Sequence, residues 1–336
     1  MTVLLGLVTL VGTVVGFGIF GAPLIRRAAP AFMRVPRLAV ATLMSVMGMW
    51  LFAVMAIGPM LAWLVSGPNH FMPGASAQVC QRCLEAASPL QPGAEIDTLI
   101  PVVLLLLAPL LLFTIILITG SWLRQRRQNT LRRLSKSLPC DGDRTMVEGH
   151  NVLVLPSQSP IAFALPKRRC GIVISPVLLE LLNEQELRAV LAHEAAHLRQ
   201  RHHLILALLH GVIVPLRWIP LISAIADAVP HYLEMAADNA ARSEVGTPAL
   251  ASALLKLGEK PKVADHFHGP ADALAEAAVT LHAAGADRIR QLVAPTRGRL
   301  GVVPAVGILS LAAVLTISSV MVHVPYLQAV LAGCLT

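Results

Sequence analysis

The sequence predicts a mainly α-helical membrane protein in which four transmembrane helices carry a cytoplasmic α+β domain between the third and the fourth. Three observations predict it. Over 336 residues the composition is 55% hydrophobic, and the mean hydropathy is +0.68, far above that of a water-soluble domain. Uncharged apolar runs long enough to cross about 30 Å of hydrocarbon lie at both ends of the chain, with arginines massed beside them. Between those ends, a more polar stretch passes from short β-like runs to helical periodicity.

The first run, Thr2 to Pro23, has no charge, and Arg26, Arg27, Arg34 and Arg37 all follow it. A cleaved leader carries its positive charge before the apolar core, so this is a retained span with the N-terminus outside. The second run, Leu38 to Val65, contains Trp50 and Trp63. A Gly- and Pro-rich loop over 66–97 holds only Arg82, Glu85, Glu95 and Asp97 as charges, and the third span runs from about Thr98 to Trp122. The densest basic cluster, Arg124, Arg126, Arg127, Arg132, Arg133 and Lys136, comes straight after it. The fourth span, about Leu300 to Val322, follows Arg297 and Arg299.

Basic loops stay on the cytoplasmic side, so both termini and the 66–97 loop face outward from a bacterial-type plasma (inner) membrane. The chain then divides into three parts. Residues 1–123 form three spans with an external loop, 124–299 a cytoplasmic domain, and 300–336 the fourth span with a short external tail. The net charge of +8 is explained by topology and by lipid phosphates; with no aromatic interleaving and no reading module, it argues against direct nucleic-acid binding.

The cysteines sort by that topology. Cys80 and Cys83 form an external CxxC and Cys334 lies in the external tail, so a Cys80–Cys83 disulfide, a bond from either to Cys334, and a redox role for the loop are all open. No second pair completes a zinc site there. Cys140 and Cys170 are ordinary cytoplasmic thiols.

In the cytoplasmic segment, Val152–Leu155, Ile161–Leu165 and Gly171–Ser175 read as strands, punctuated by Pro156, Pro160, Pro166 and Pro176. Ile161, Ala162, Phe163, Ala164 and Leu165 are placed at the sheet edge, where an extended peptide adds by backbone pairing; a purely structural strand is the alternative. Asn183 as N-cap with Glu186 three residues on starts a helix, and Leu187, Val190, Leu191 and Leu198 carry its periodicity from about Glu184 to about Leu209.

That helix holds His193-Glu194-Ala-Ala-His197. The two imidazoles sit one turn apart on one face, so both ring nitrogens reach a single metal ion. Hydrolytic zinc takes three protein ligands and keeps a fourth position for water, whose pKa falls to about 7. Glu194 is placed to take the proton of that water as general base. The best third ligand is Glu234 in His231-Tyr-Leu-Glu234-Met-Ala-Ala-Asp238, a helix that Pro230 opens as a first-turn proline. Asp238, on the same face as Glu234, accepts a hydrogen bond from a ligand imidazole, with a solvated acid as the alternative. His231 is a candidate transition-state donor, against an ordinary packed or exposed histidine, and His202, His203 and His210 are spare imidazoles.

Leu204 to Val229 is apolar but broken by His210, Pro215, Arg217, Pro220 and Asp227. Ligands of one ion share one side of the membrane, and two spans of about 20 residues do not fit between residues 198 and 233. The stretch is therefore a helix end and a second helix lying against the membrane or the spans, with the site near the inner surface. From Thr247 to about Val293 the pattern is helical and Ala-rich, with a polar break at Lys256, Glu259, Lys260 and Lys262 and a turn at Gly269-Pro270. Ala271–Ala284 and Asp287–Val293 pack around the catalytic helices and offer no chemistry of their own. There is no phosphate-cradling glycine loop, no serine-nucleophile elbow and no internal repeat.

The segment ELRAVLAHEAAHLRQRHH, followed later by EMAAD, resembles the membrane-integral zinc metallopeptidases of the BlaR1/MecR1 type, peptidase family M56, which are similar to the HtpX/Ste24-type M48 peptidases. The resemblance covers roughly residues 150–295, and the arrangement of spans is similar. It implies a zincin-like metallopeptidase domain with one Zn2+ on His193, His197 and Glu234, Glu194 as base, and Asp238 at the family's acidic position one turn after the third ligand. It also implies, as substrate, a cytoplasmic transcriptional repressor similar to BlaI/MecI, with self-cleavage beside it. The antibiotic-sensing members carry a large external penicillin-binding domain after their last span; the chain ends at Thr336 with no room for one, so the inducing signal is left open. Membrane-protein quality control of the HtpX kind is the alternative enzyme. From another class, the alternative is a non-catalytic signalling membrane protein with a structural zinc site.

Overall fold

The computed structural model describes residues 2–66, 111–122, 125–126, 144–157, 159–165, 171–258, 288, 292 and 301–333. Cys80, Cys83, Cys140, Cys170 and Cys334, most of the 66–97 loop, the start of the third expected span and the 271–284 segment lie outside them.

The membrane-type bundle begins with α1 (Thr2–Phe32) and α2 (Pro36–Ser66). The helix of the first apolar run does not stop near Pro23 but continues past Arg26 and Arg27. Ile25, Ala28 and Phe32 fall on one buried face at helical spacing, while the two arginines are exposed, so packing on one side carries the helix through the charged stretch. Pro36 opens α2 after a tight turn closed by Arg34 N–H to Ala31 O and Val35 N–H to Phe32 O, both 3.2 Å. The two helices are keyed by Trp50, whose Nε1–H donates to Val14 O at 2.9 Å from a buried position.

A short apolar helix, α3 (Leu111–Trp122), covers the described end of the third expected span. After it, the Arg126 guanidinium lies over the Trp122 ring at 3.8 Å. Among the described residues, three helices are long and apolar enough to cross a membrane, with windows Val8–Phe32, Pro36–Met55 and Val302–Val320.

The sheet has the order β1-β2-β4-β3, built from β1 (Arg144–Val147), β2 (His150–Val154), β3 (Ala162–Ala164) and β4 (Ile172–Ile174). β1 and β2 form a hairpin around Glu148 (φ 49) and Gly149 (φ 76), both left-handed as a two-residue primed turn requires. β1 is not among the strands expected from sequence, because Arg144-Thr145-Met146 is exposed throughout and shows no apolar alternation. β2 runs parallel to β4, with Val152 opposite Ile172, and β3 pairs antiparallel with β4 at the other edge. Ser175 secures that edge: its Oγ donates to Ser159 O at 2.9 Å, and accepts from Ile161 N–H and from Leu178 N–H, the latter as N-cap of α4 (Pro176–Leu181).

Helix α5 (Glu184–Arg199) starts with the Asn183/Glu186 capping box and packs Leu187, Val190 and Leu191 on Val152, Ile172 and Ile174 of the sheet. It does not run on to Leu209. Arg201 adopts a left-handed conformation (φ 54, ψ 38), which ends α5 and starts α6 (His202–Leu216) in a new direction. α7 (Pro220–Val245) follows, then α8 (Thr247–Gly258), with Gly246 (φ 89) between them. α7 is opened by Pro220, and Pro230 lies inside it, so the helix that holds Glu234 begins well before the position expected from sequence.

The α6–α7 pair is packed into the bundle. Leu209, Ile213 and Leu216 of α6 and Leu221 to Met235 of α7 share one buried apolar cluster with α1, α2 and α9 (Val302–Gly333). Gly120 of α3 and Gly211 of α6 meet so closely that a Cβ on Gly120 would stand 3.1 Å from Gly211 Cα. Leu221 lies against Gly21 of α1 and the Tyr232 ring meets Phe32 edge-on with centroids 6.1 Å apart, so α7 runs parallel to α1 and brings Glu234 just beyond the end of that helix.

Candidate metal centre

The site is built where α5 crosses α7. The sheet-facing side of α5 is fixed by Leu187, Val190 and Leu191, and Ala189 and Ala192 pack against Leu250 and Leu254 of α8. His193 and His197, one turn apart, are left to meet α7. Their Nε2 atoms are 3.1 Å apart; Glu234 Oε2 is 3.5 Å from that of His193, and Glu234 Oε1 is 3.4 Å from that of His197. One ligand atom from each of the three residues lies within 4.8 Å of the others. Two ligands at 2.0–2.1 Å from a tetrahedral zinc stand roughly 3.3 Å apart, so the spacing suits that ion.

Charge points the same way. Glu194, Glu234 and Asp238 are buried with Arg288; counted in their ionised forms, three carboxylates against one guanidinium leave two negative charges, which a divalent cation balances. Burial disfavours the charged form of His193, yet the carboxylates of Asp238 and Glu234 outweigh it and lift its pKa to about 10. The cluster therefore attracts positive charge, whether proton or metal ion. Glu194 adds a second sign of fit: its Oε2 is buried with no hydrogen-bond partner among the described residues. An ionised carboxylate oxygen in that state is an acceptor suited to a water molecule.

Asp238 meets the His193 imidazole, with Oδ1 3.0 Å from His193 Nδ1. Burial pushes its carboxyl up, but His193 and Arg288 outweigh that and hold it below its ordinary value. Arg288 corrects the expectation that Asp287–Val293 brings no chemistry: its side chain is 2% exposed and contacts both Asp238 and Glu234. Nothing local in the sequence marks it, since its partners are distant in the chain.

His202, a spare imidazole by sequence, places its Nδ1 2.9 Å from His197 Nδ1. The left-handed turn at Arg201 creates that contact, and sequence periodicity does not show it. Gln200 Oε1 is 3.0 Å from His202 Nε2 and accepts from Arg37 Nε at 3.2 Å. His231 is half-buried, its ring centroid 5.9 Å from that of Tyr232, and no hydrogen bond links it to the cluster among the described residues. Within Ile161–Leu165, the paired strand is Ala162–Ala164, at the sheet edge and packed beside α5.

The description of peptidase family M48 matches residues 123–257. A protease HtpX homolog from Thermoanaerobacter pseudethanolicus is 35% identical over 72 residues, which cover 20% of this chain and 24% of that protein. The chain thus spans about a quarter of the length of the curated relative it matches. No solved structure matches. The buried ligand cluster, the apolar helices and these similarities support a membrane metallopeptidase. Its similarity is to the M48 type.

Proposed function

We propose that the protein is a membrane-integral zinc endopeptidase acting on cytoplasmic or juxtamembrane protein segments. The observation that carries this is the convergence of His193, His197 and Glu234 beside a buried Glu194 whose Oε2 has no partner among the described residues. His193, His197 and Glu234 would hold the ion. When bound, zinc lowers the pKa of a water molecule to about 7 and polarises a carbonyl oxygen.

The chain's own residues do the rest. Glu194 Oε2 takes a proton from the attacking water and returns it to the amide nitrogen as the peptide bond breaks. Asp238, held by Arg288, fixes the His193 ring so that its Nε2 lone pair faces the cluster. The segment Ile161–Leu165, whose strand β3 has β4 as its one strand partner among the described residues, pairs with the substrate backbone as an added strand and holds it extended along α5.

The topology we infer has four spans, both termini outside and the site at the cytoplasmic surface. The position of Glu234 just beyond Phe32 supports a site close to the membrane face. Two substrates follow from two similarities. The HEAAH–EMAAD segment supports regulatory cleavage of a BlaI/MecI-like repressor in the manner of M56, and the HtpX homolog supports turnover of membrane proteins. A non-catalytic signalling protein with a structural ion is the remaining reading.

Glu194→Gln separates them. It keeps zinc bound and abolishes cleavage if the protein is an endopeptidase, whereas signalling that survives the change defeats the enzymatic role. Partners trapped on the Glu194→Gln protein in membranes then identify the substrate. A DNA-binding repressor supports the regulatory reading, and misassembled membrane proteins support surveillance.

A further inference from the structure

We propose that His202 is a positioning residue for the metal ligand His197, and that Gln200 and Arg37 tie this pair to the first turn of the membrane helix α2. His197 turns Nε2 to the cluster and Nδ1 to His202 Nδ1, 2.9 Å away. Two unprotonated ring nitrogens repel at that distance, so one carries the hydrogen. A neutral His197 whose Nε2 lone pair binds an ion has its proton on Nδ1, and therefore donates to His202 Nδ1.

That step fixes the rest of the chain of bonds. His202, accepting on Nδ1, carries its own proton on Nε2 and donates it to Gln200 Oε1 at 3.0 Å. The same oxygen accepts from Arg37 Nε at 3.2 Å, while Gln200 Nε2 donates to Ala236 O at 3.4 Å, two residues past Glu234. Each of these contacts then pairs one donor with one acceptor, with one consistent set of protons from Arg37 to His197. Gln200 thereby connects α2, α6 and α7 at a single side chain.

His202 is 2% exposed and held at the corner where Arg201 takes up a left-handed backbone. A helix continued through that corner would carry residue 202 away from His197. Beside the network opens a cavity of about 670 Å³, lined by Arg37, Val40, Gln200, His202, Leu233 and Glu244 among others. Across that space the polar contacts join Arg37 of α2 to the α5–α6 corner. A shift of the cytoplasmic end of α2 is therefore felt at His197.

The test, which takes His197 to be a metal ligand, measures zinc affinity of the full chain in detergent micelles by competition with a chromogenic chelator. His202→Ala is expected to weaken zinc binding roughly ten- to a hundredfold, the usual effect of losing a partner of a ligand histidine. His202→Asn, whose carboxamide oxygen stands in place of Nδ1, restores most of it. Arg37→Ala weakens it by about threefold, the size of one hydrogen bond. The visible spectrum of the cobalt-loaded protein shifts with His202→Ala and returns with His202→Asn.

Equal zinc affinity in the unaltered protein and in His202→Ala overturns the role of His202 and leaves the metal site intact. A loss that His202→Asn does not rescue also overturns it, in favour of packing. An unchanged affinity in Arg37→Ala overturns the link to α2. Failure of the unaltered protein to bind zinc overturns both this role and the metal site itself.

Discussion

Arg288 grips Asp238 through two parallel hydrogen bonds, Nε to Oδ2 at 2.9 Å and Nη2 to Oδ1 at 2.7 Å. Its remaining nitrogen, Nη1, stands 3.1 Å from Glu234 Oε2. One guanidinium thus serves the carboxylate that orients His193 and the carboxylate proposed to bind the ion. Removing it strands buried negative charge, which costs about 3–5 kcal/mol when one partner of a buried pair is deleted. Arg288→Ala should therefore lower Tm sharply in detergent micelles. Arg288→Lys, keeping the charge but not the fork, should fall between. A Tm for Arg288→Ala equal to that of the unaltered protein would show that the guanidinium is dispensable to the fold.

Acid sensitivity should be traceable to the start of α5. Lys256 at 2.7 Å and Ser252 at 2.6 Å, with the Asn183 N–H at 2.9 Å, hold the buried Glu186 carboxyl at about 2, well below its ordinary 4.5. The folded form resists protonation and the unfolded form does not, so this group stabilises fully above about pH 4.5. Its contribution falls as pH drops and is gone near pH 2. In acid titrations followed by tryptophan fluorescence, Glu186→Gln should lose stability at neutral pH and show a flatter curve across that window. Parallel curves for the two proteins would rule out Glu186 as a source of the acid limb.

Gly301 marks a contact that no side chain can enter. A Cβ there would stand 2.5 Å from Ala31 N and 3.1 Å from Ala28 O, both backbone atoms of α1, so the start of α9 would have to move. Gly301→Ala should cost about 1–3 kcal/mol, the usual range for overpacking. Gly12 of α1 has open space at the same position. There, alanine should be neutral or stabilise by up to about 1 kcal/mol through helix propensity. Thermal melts of the two variants compare the effects directly, and equal melts would mean that α1 and α9 do not meet at Gly301.

What the sequence made legible was what local pattern encodes. The capping box of Asn183 and Glu186, the spacing of His193 and His197, and the pairing of Glu234 with Asp238 on one helical face all follow from short-range periodicity, and all are present. The misses lie where a single backbone angle or a distant partner decides. The left-handed Arg201 broke one expected helix into two and brought His202 to His197, although arginine has no preference for that conformation. Pro230, by local pattern a helix start, sits inside α7, because packing from Leu221 to Met235 carries the helix through it. Arg288 could not be read as part of the site, because its partners lie 50 and 54 positions earlier (288 less 238 and 234) and only the fold joins them.

Removal of the metal should expose the same charge imbalance that the site balances. A ligand that binds only the folded state adds stability by mass action, about 2.7 kcal/mol at a free concentration one hundred times Kd. A chelator should therefore lower the Tm of the unaltered protein, and added zinc should restore it. Glu234→Ala takes away one of the three converging groups proposed to hold the ion, so its Tm should respond little to chelator or to zinc. His231→Ala, at a residue with no hydrogen bond to the cluster among the described residues, should keep the full response. Chelator sensitivity that persists undiminished in Glu234→Ala would place the ion elsewhere in the chain, and with it the chemistry assigned to Glu194.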